Sequence, residues 1–252
     1  MFKQGITESK IQGRIFNLQY VTQNCISMAN RIKIHPDNPH KKKIFELTDE
    51  LINSGVALVP TDSQYALVCD YKNKKGIDRI RQIRQLGKRD HLTVMCYSLE
   101  HASTFGLLSD DNFKLIKRLI PGPYTFVLPA TREVPRLLTH PKKRTVGIRV
   151  PDYPICLEMV KELDRPVIAI TAKLPGVEHG HPGDGDRELF LSRFDNIVDV
   201  TIDNQEPLES LETTVLDLTG ENPTILREGL GMDRLLEALA LQGMELEEQP
   251  IS

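Results

Sequence analysis

The chain has 252 residues, 40% hydrophobic and 27% charged, with a formal net charge of −3, which fits a globular protein that can bury a core without staples. No apolar run reaches the roughly 18 residues of a membrane helix and the N-terminus lacks a signal-peptide core, so nothing places the chain in a membrane and a cytoplasmic location is expected. The four cysteines, Cys25, Cys69, Cys96 and Cys156, stand far apart with no C-x-x-C pair, against a zinc knuckle or a disulfide framework.

Residues 1–33 are polar and poorly periodic, and read as an N-terminal extension. Met28 opens a compact reading of its own, which makes the first 27 residues an extension or a misassigned start. From 34 to 231 the pattern is that of one domain, and 232–252 reads as a C-terminal helix with an acidic tail. Ile44, Leu47 and Leu51 recur at helical spacing before Gly55, which predicts a helix over 41–54. VALVP then reads as a buried strand, and an apolar run resumes after TDSQY. Asn73 can cap a helix that carries Ile77, Ile80 and Ile83 on one face and turns Arg79, Arg81 and Arg84 to solvent or to a ligand. LTVMC, 92–96, is the next strand. A helix starting at Ser109 carries Phe113, Ile116 and Ile120 and stops at Pro121-Gly122-Pro123. YTFVLPA and TVGIRVP read as strands, followed by a helix over 154–163, strand PVIAIT, a helix around 186–194, strands IVDVTI, TTVLDL and PTILRE, and a last helix over 233–241. This alternation, without internal repeats, predicts an α/β fold.

Charge is unevenly spread. Lys72, Lys74, Lys75, Arg79, Arg81, Arg84, Lys88 and Arg89 face the single acid Asp78, and Lys142, Lys143 and Arg144 form a second cluster. Such clusters are either solvated faces or the footprint of an anionic ligand. No P-loop, dinucleotide fingerprint or G-x-S-x-G elbow is present. HGHPGDGD, 179–186, carries candidate metal ligands in a loop too rich in Gly and Pro to be preferred as a metal site. Thr61, Asp62, Ser63 and Tyr65 follow a buried strand, where hydroxyls can grip a polar substrate or merely satisfy a turn. Arg149 stands alone in an apolar strand and needs an anionic partner, either a protein carboxylate or a bound one.

VPTDSQYAL at 59–67, LIPGPYTFVLPA at 119–130, TVGIRVPDYP at 145–154 and TTVLDLTGENPTILREG at 213–229 resemble, in order and spacing, the blocks of the YrdC/YciO family. IHPDNP, RIRQL and LPG lean towards the YciO branch. The resemblance implies a twisted open mixed sheet flanked by helices, with a large basic cavity. There threonine, bicarbonate and ATP, usually with Mg²⁺, give threonylcarbamoyl-AMP and pyrophosphate for the tRNA modification t6A. It places Thr61, Ser63, Tyr65, Arg149 and Thr171 on the threonine side. Arg84, Lys88, Arg89, Thr125, Lys173, Thr213, Thr214 and Arg227 fall on the nucleotide side, with no catalytic residue assigned and no metal-binding side chain. Two departures stand out: the family's K-x-R pair falls on Arg84 and Leu86, and its serine-alanine-asparagine motif on Thr171, Ala172 and Lys173. Lys88, Arg89 and Lys173 are the candidate replacements for the lost cation. The family also implies an alternative, double-stranded RNA binding without synthesis, and a further one, a related carboxylated amine in place of threonine.

Overall fold

The structure, a computed structural model, describes residues 28–53, 55–87, 90, 92–140, 142–174, 187–208 and 211–247. The strands are β1 (Asn30–Lys33), β2 (Ala57–Val59), β3 (Ala66–Asp70), β4 (Thr93–Met95), β5 (Tyr124–Pro129), β6 (Thr145–Arg149), β7 (Val167–Thr171), β8 (Val200–Asp203), β9 (Thr214–Asp217) and β10 (Thr224–Arg227). The helices are α1 (Lys41–Ile52), α2 (Lys74–Ile83), α3 (Leu99–Ser103), α4 (Asp110–Leu119), α5 (Pro154–Leu163), α6 (Arg187–Phe194) and α7 (Met232–Ala240). The strands form one mixed sheet in the order β1-β8-β2-β3-β7-β4-β6-β5-β9-β10. Pairs β1–β8, β8–β2, β4–β6 and β5–β9 are parallel, and the others antiparallel.

Side chains alternate across a strand, so each strand sorts its residues between two faces. Leu58, Leu67, Cys69, Val94 and Ile148 join a large apolar cluster that packs under α2, α4, α6 and α7. Ala57, Val59, Ala66, Val68 and Met95 join a second cluster under α1 and α5. That second cluster ends at Met95. Beyond it the sheet keeps its apolar packing on one face only: β5 alternates buried and half-buried residues along its whole length. The other face there carries half-buried Thr93 and Thr125 and buried Gly147, where an added Cβ would sit in ordinary contact, 3.5 Å from Thr125 and 3.6 Å from Thr93.

The predicted helix starts hold in detail: Asn73 accepts from Gly76 N and Ser109 from Asn112 N. Three readings are corrected. Asn30–Lys33 is a strand, although only Ile32 in it is buried; an edge strand contributes mainly backbone, and so leaves little apolar signal. The buried stripe of α4 is Leu115, Ile116 and Leu119, while Phe113 is exposed and Ile120 caps the helix. Arg79 and Arg81 are not offered to a ligand. Arg79 pairs with Asp199 at 2.6 Å and bonds Ile197 O, and Arg81 donates to the carbonyls of Gly87 (2.8 Å) and Leu137 (3.3 Å). Among the described residues no helix is long and apolar enough to cross a membrane.

Candidate functional site

The turn PTDSQY joins β2 to β3 as a hairpin whose last pair is Val59 with Ala66. Thr61 folds it: its hydroxyl donates to Gln64 O at 2.7 Å and lies within reach of the backbone N–H of Ser63 and Gln64 at 3.3 and 3.4 Å. The turn is therefore self-satisfying, as a short hydroxyl at such a corner tends to be. It is also clamped from below. Arg149, last residue of β6, sends Nη2 to the Asp62 carboxylate, to Ser63 Oγ at 3.0 Å and to Thr61 Oγ1 at 3.4 Å. The second oxygen of Asp62 accepts Asp152 N at 2.9 Å. Of the two partners open to Arg149, the structure supplies the protein carboxylate, and both side chains are nearly buried, at 12% and 9% exposure.

Burial limits what the threonine-side candidates can touch. Ser63 is 1% exposed, and Tyr65 is buried with its hydroxyl donating to Asn204 Oδ1 at 2.9 Å. Asn204 in turn donates to the Tyr153 hydroxyl at 2.8 Å. Burial pushes both phenols up from their ordinary range, so they stay protonated. Thr61, Asp62 and Gln64 line a cleft of about 270 Å³ whose other wall is Tyr65, Tyr153, Asn204 and Glu206.

The nucleotide-side candidates meet the turn through the sheet. Ala66 pairs with Thr171, and Ala172 N donates to Tyr65 O at 2.9 Å, which sets the TAK segment beside the turn. On the other flank Leu211 N donates to Ser63 O at 3.4 Å, and Gln64 Nε2 to Leu211 O at 3.2 Å. The next residue, Glu212, takes Lys173 Nζ at 3.1 Å and lies 3.7 Å from Arg227 Nε. Arg84 donates to Lys173 O at 3.2 Å. Arg227 is fixed by Nε on Thr213 O at 2.9 Å and Nη2 on Thr213 Oγ1 at 2.8 Å. Two cations from separate parts of the chain, Lys173 and Arg227, thus meet at one carboxylate, and Arg84 anchors the backbone of the first. The Lys173 ammonium holds the Glu212 carboxyl below its ordinary range, and burial pulls the Arg84 guanidinium down from its own.

Thr125 is half-buried on the one-sided part of the sheet, and Thr171 is half-buried at the end of β7. Thr214 is a correction: it is fully buried and its hydroxyl donates to Leu230 O at 2.7 Å, so it braces the strand and cannot meet a ligand there. Leu86, at the second K-x-R position, packs half-buried against the larger apolar cluster. Lys88, Arg89 and the HGHPGDGD loop lie outside the described residues. Glu212 and Thr93 are absent from the sequence candidates, and Asp62, named with the hydroxyls of its turn, is given no role of its own there. Asp62 sits inside the quoted motif but reads as a turn former, whereas Glu212 immediately precedes TTVLDL, and nothing in its spacing pairs it with a lysine 39 positions away.

As a whole, this arrangement supplies fixed positive charge and N–H and O–H donors without a described nucleophile–base pair, a constellation suited to holding an anionic substrate in place.

Comparison with known proteins agrees with this fold. The Sua5/YciO/YrdC family model, described as "Telomere recombination", matches residues 49–229. A Haemophilus influenzae protein is 40% identical over 208 residues, covering 81% of this chain and 97% of that protein. YciO of Escherichia coli is 38% identical, again covering 81% and 97%, and its crystal structure superposes with a TM-score of 0.75. A threonylcarbamoyl-AMP synthase of Pyrococcus abyssi is 29% identical over 171 residues, 68% of this chain and 49% of that enzyme. On the ordered motif blocks, the mixed sheet and these matches, the chain belongs to the Sua5/YciO/YrdC family.

Proposed function

We propose that the protein is a nucleotidyltransferase of the threonylcarbamoyl-AMP synthase type, which joins threonine, bicarbonate and ATP and releases pyrophosphate. The observation that carries this reading is the convergence of Arg84, Lys173 and Arg227 beside the PTDSQY turn, linked by hydrogen bonds on both flanks. Carboxylated threonine would attack the α-phosphate. That displacement needs orientation and charge stabilisation of the phosphate oxygens more than covalent help from the protein.

In this assignment the cleft beside Thr61 receives threonine, and the sheet face with Thr93, Thr125 and Gly147 leads from it towards the phosphates. Lys173 stands where the family's motif has an amide. A lysine there supplies a flexible point charge, which compensates for the leucine at position 86. Among the described residues no cluster of three His, Cys, Asp or Glu side chains offers a metal site. Mg²⁺ would arrive with the triphosphate and supply charge neutralisation. The product would serve tRNA modification.

Pyrophosphate release by the purified full chain in ATP, threonine and bicarbonate tests the assignment. Release that depends on all three substrates is expected. No release, under conditions where a YrdC-type synthase turns over, refutes it.

A further inference from the structure

We propose that Glu212 is a built-in competitor of the triphosphate: its carboxylate holds Lys173 and Arg227 and must be displaced from them when ATP binds. This rests on the assignment of that cluster to the nucleotide. The two oxygens of Glu212 divide the work, Oε1 meeting Lys173 Nζ at 3.1 Å and Oε2 lying 3.7 Å from Arg227 Nε. They bridge cations from the end of β7 and from β10.

The three partners differ in what else holds them. Arg227 keeps two bonds to Thr213 whatever Glu212 does. The Lys173 ammonium has Glu212 as its ion-pair partner among the described residues, while its backbone carbonyl is anchored by Arg84. The backbone of Glu212 is fixed, since its carbonyl accepts Leu230 N at 2.8 Å. Its side chain is 44% exposed and free to turn outward. Removing the carboxylate would leave Arg227 in place and free the Lys173 amine for an incoming anion. Keeping it sets a negative charge where a phosphate would settle. The penalty grows with the charge of the ligand, so it falls on ATP more than on AMP.

The test is calorimetric titration of the full chain and its Glu212→Gln and Glu212→Asp variants with ATP and with AMP at low salt. Glu212→Gln is expected to bind ATP about fivefold tighter, the scale of a half-exposed ion pair, and AMP within about twofold of the unsubstituted chain. Glu212→Asp keeps the charge and is expected to retain the original preference. Glu212→Ala serves as a second neutral variant and is expected to follow Glu212→Gln. Equal or weaker ATP binding by both neutral variants, alongside ATP binding by the unsubstituted chain, overturns this inference alone. It would make Glu212 a scaffold for the cations. Absence of ATP binding in every form overturns the assigned function and this inference with it.

Discussion

Replacing Arg149 by methionine probes the joint between the sheet and the PTDSQY turn. Methionine matches much of the aliphatic volume but removes the donor that serves Asp62, Ser63 and Thr61 together. Asp62 would keep one bond, from Asp152 N, and a carboxylate only 9% exposed would lose its countercharge. Breaking one side of a buried pair costs about 3–5 kcal/mol, because the remaining charge is neither solvated nor paired. At roughly 2–4 °C per kcal/mol for a chain of this size, the melting temperature should fall by about 6–20 °C. Urea unfolding of Arg149→Met, Asp62→Asn and the double variant measures the pair directly. The double variant is expected to be more stable than the sum of the single losses, since neither partner is then left orphaned. A loss below about 1 kcal/mol for Arg149→Met, or strict additivity in the double variant, would refute the claim that this pair is buried and mutually dependent.

Two further substitutions separate structural from ligand-facing positions. Gly231 has φ +84° and an added Cβ would run into the Tyr124 hydroxyl, which itself donates to Gly231 O at 2.8 Å. Gly231→Ala should therefore lower the unfolding free energy by at least about 2 kcal/mol, and a urea curve unchanged from the unsubstituted chain would count against that geometry. Leu86→Arg would restore the family's second cation in sequence, yet the side chain it replaces packs against the apolar core. It should cost on the order of 1–2 kcal/mol of stability and leave ATP affinity within about twofold. A tenfold gain in ATP affinity at unchanged stability would show that position 86 faces the triphosphate.

The parts of the fold legible in the sequence are those where a local pattern and a tertiary demand coincide. Ile77, Ile80 and Ile83 announce α2 because the periodicity that builds the helix also fills the larger cluster. β1 shows the opposite case: NRIK buries one side chain, and its place is set by backbone pairing with Val200–Asp203, distant in sequence. Arg79 and Arg81 illustrate a second limit. Their charge density suggests an anion, but Arg79 pairs with the distant Asp199 and Arg81 bonds the nearby Gly87 carbonyl and the distant Leu137 carbonyl, and no local spacing encodes the two distant partners. A basic helix can therefore be a structural clamp on its own domain.

The candidate site divides along the same line. Thr61 and Arg149 were visible as types of residue in suggestive places, but whether Arg149 awaited a ligand or a carboxylate depended on which strand lay beside the turn. β6 brings it under Asp62 although β7 and β4 lie between β6 and the hairpin in the sheet. The consequence reaches the proposed chemistry. With Arg149 neutralised by Asp62, the proposed site would draw the positive charge for a triphosphate from Arg84, Lys173 and Arg227, with Glu212 as the proposed competitor. A carboxylate between Lys173 and Arg227 holds the two at fixed spacing, since unscreened they would repel. It does so at the expense of affinity for the anion, and that exchange is what the Glu212 variants weigh.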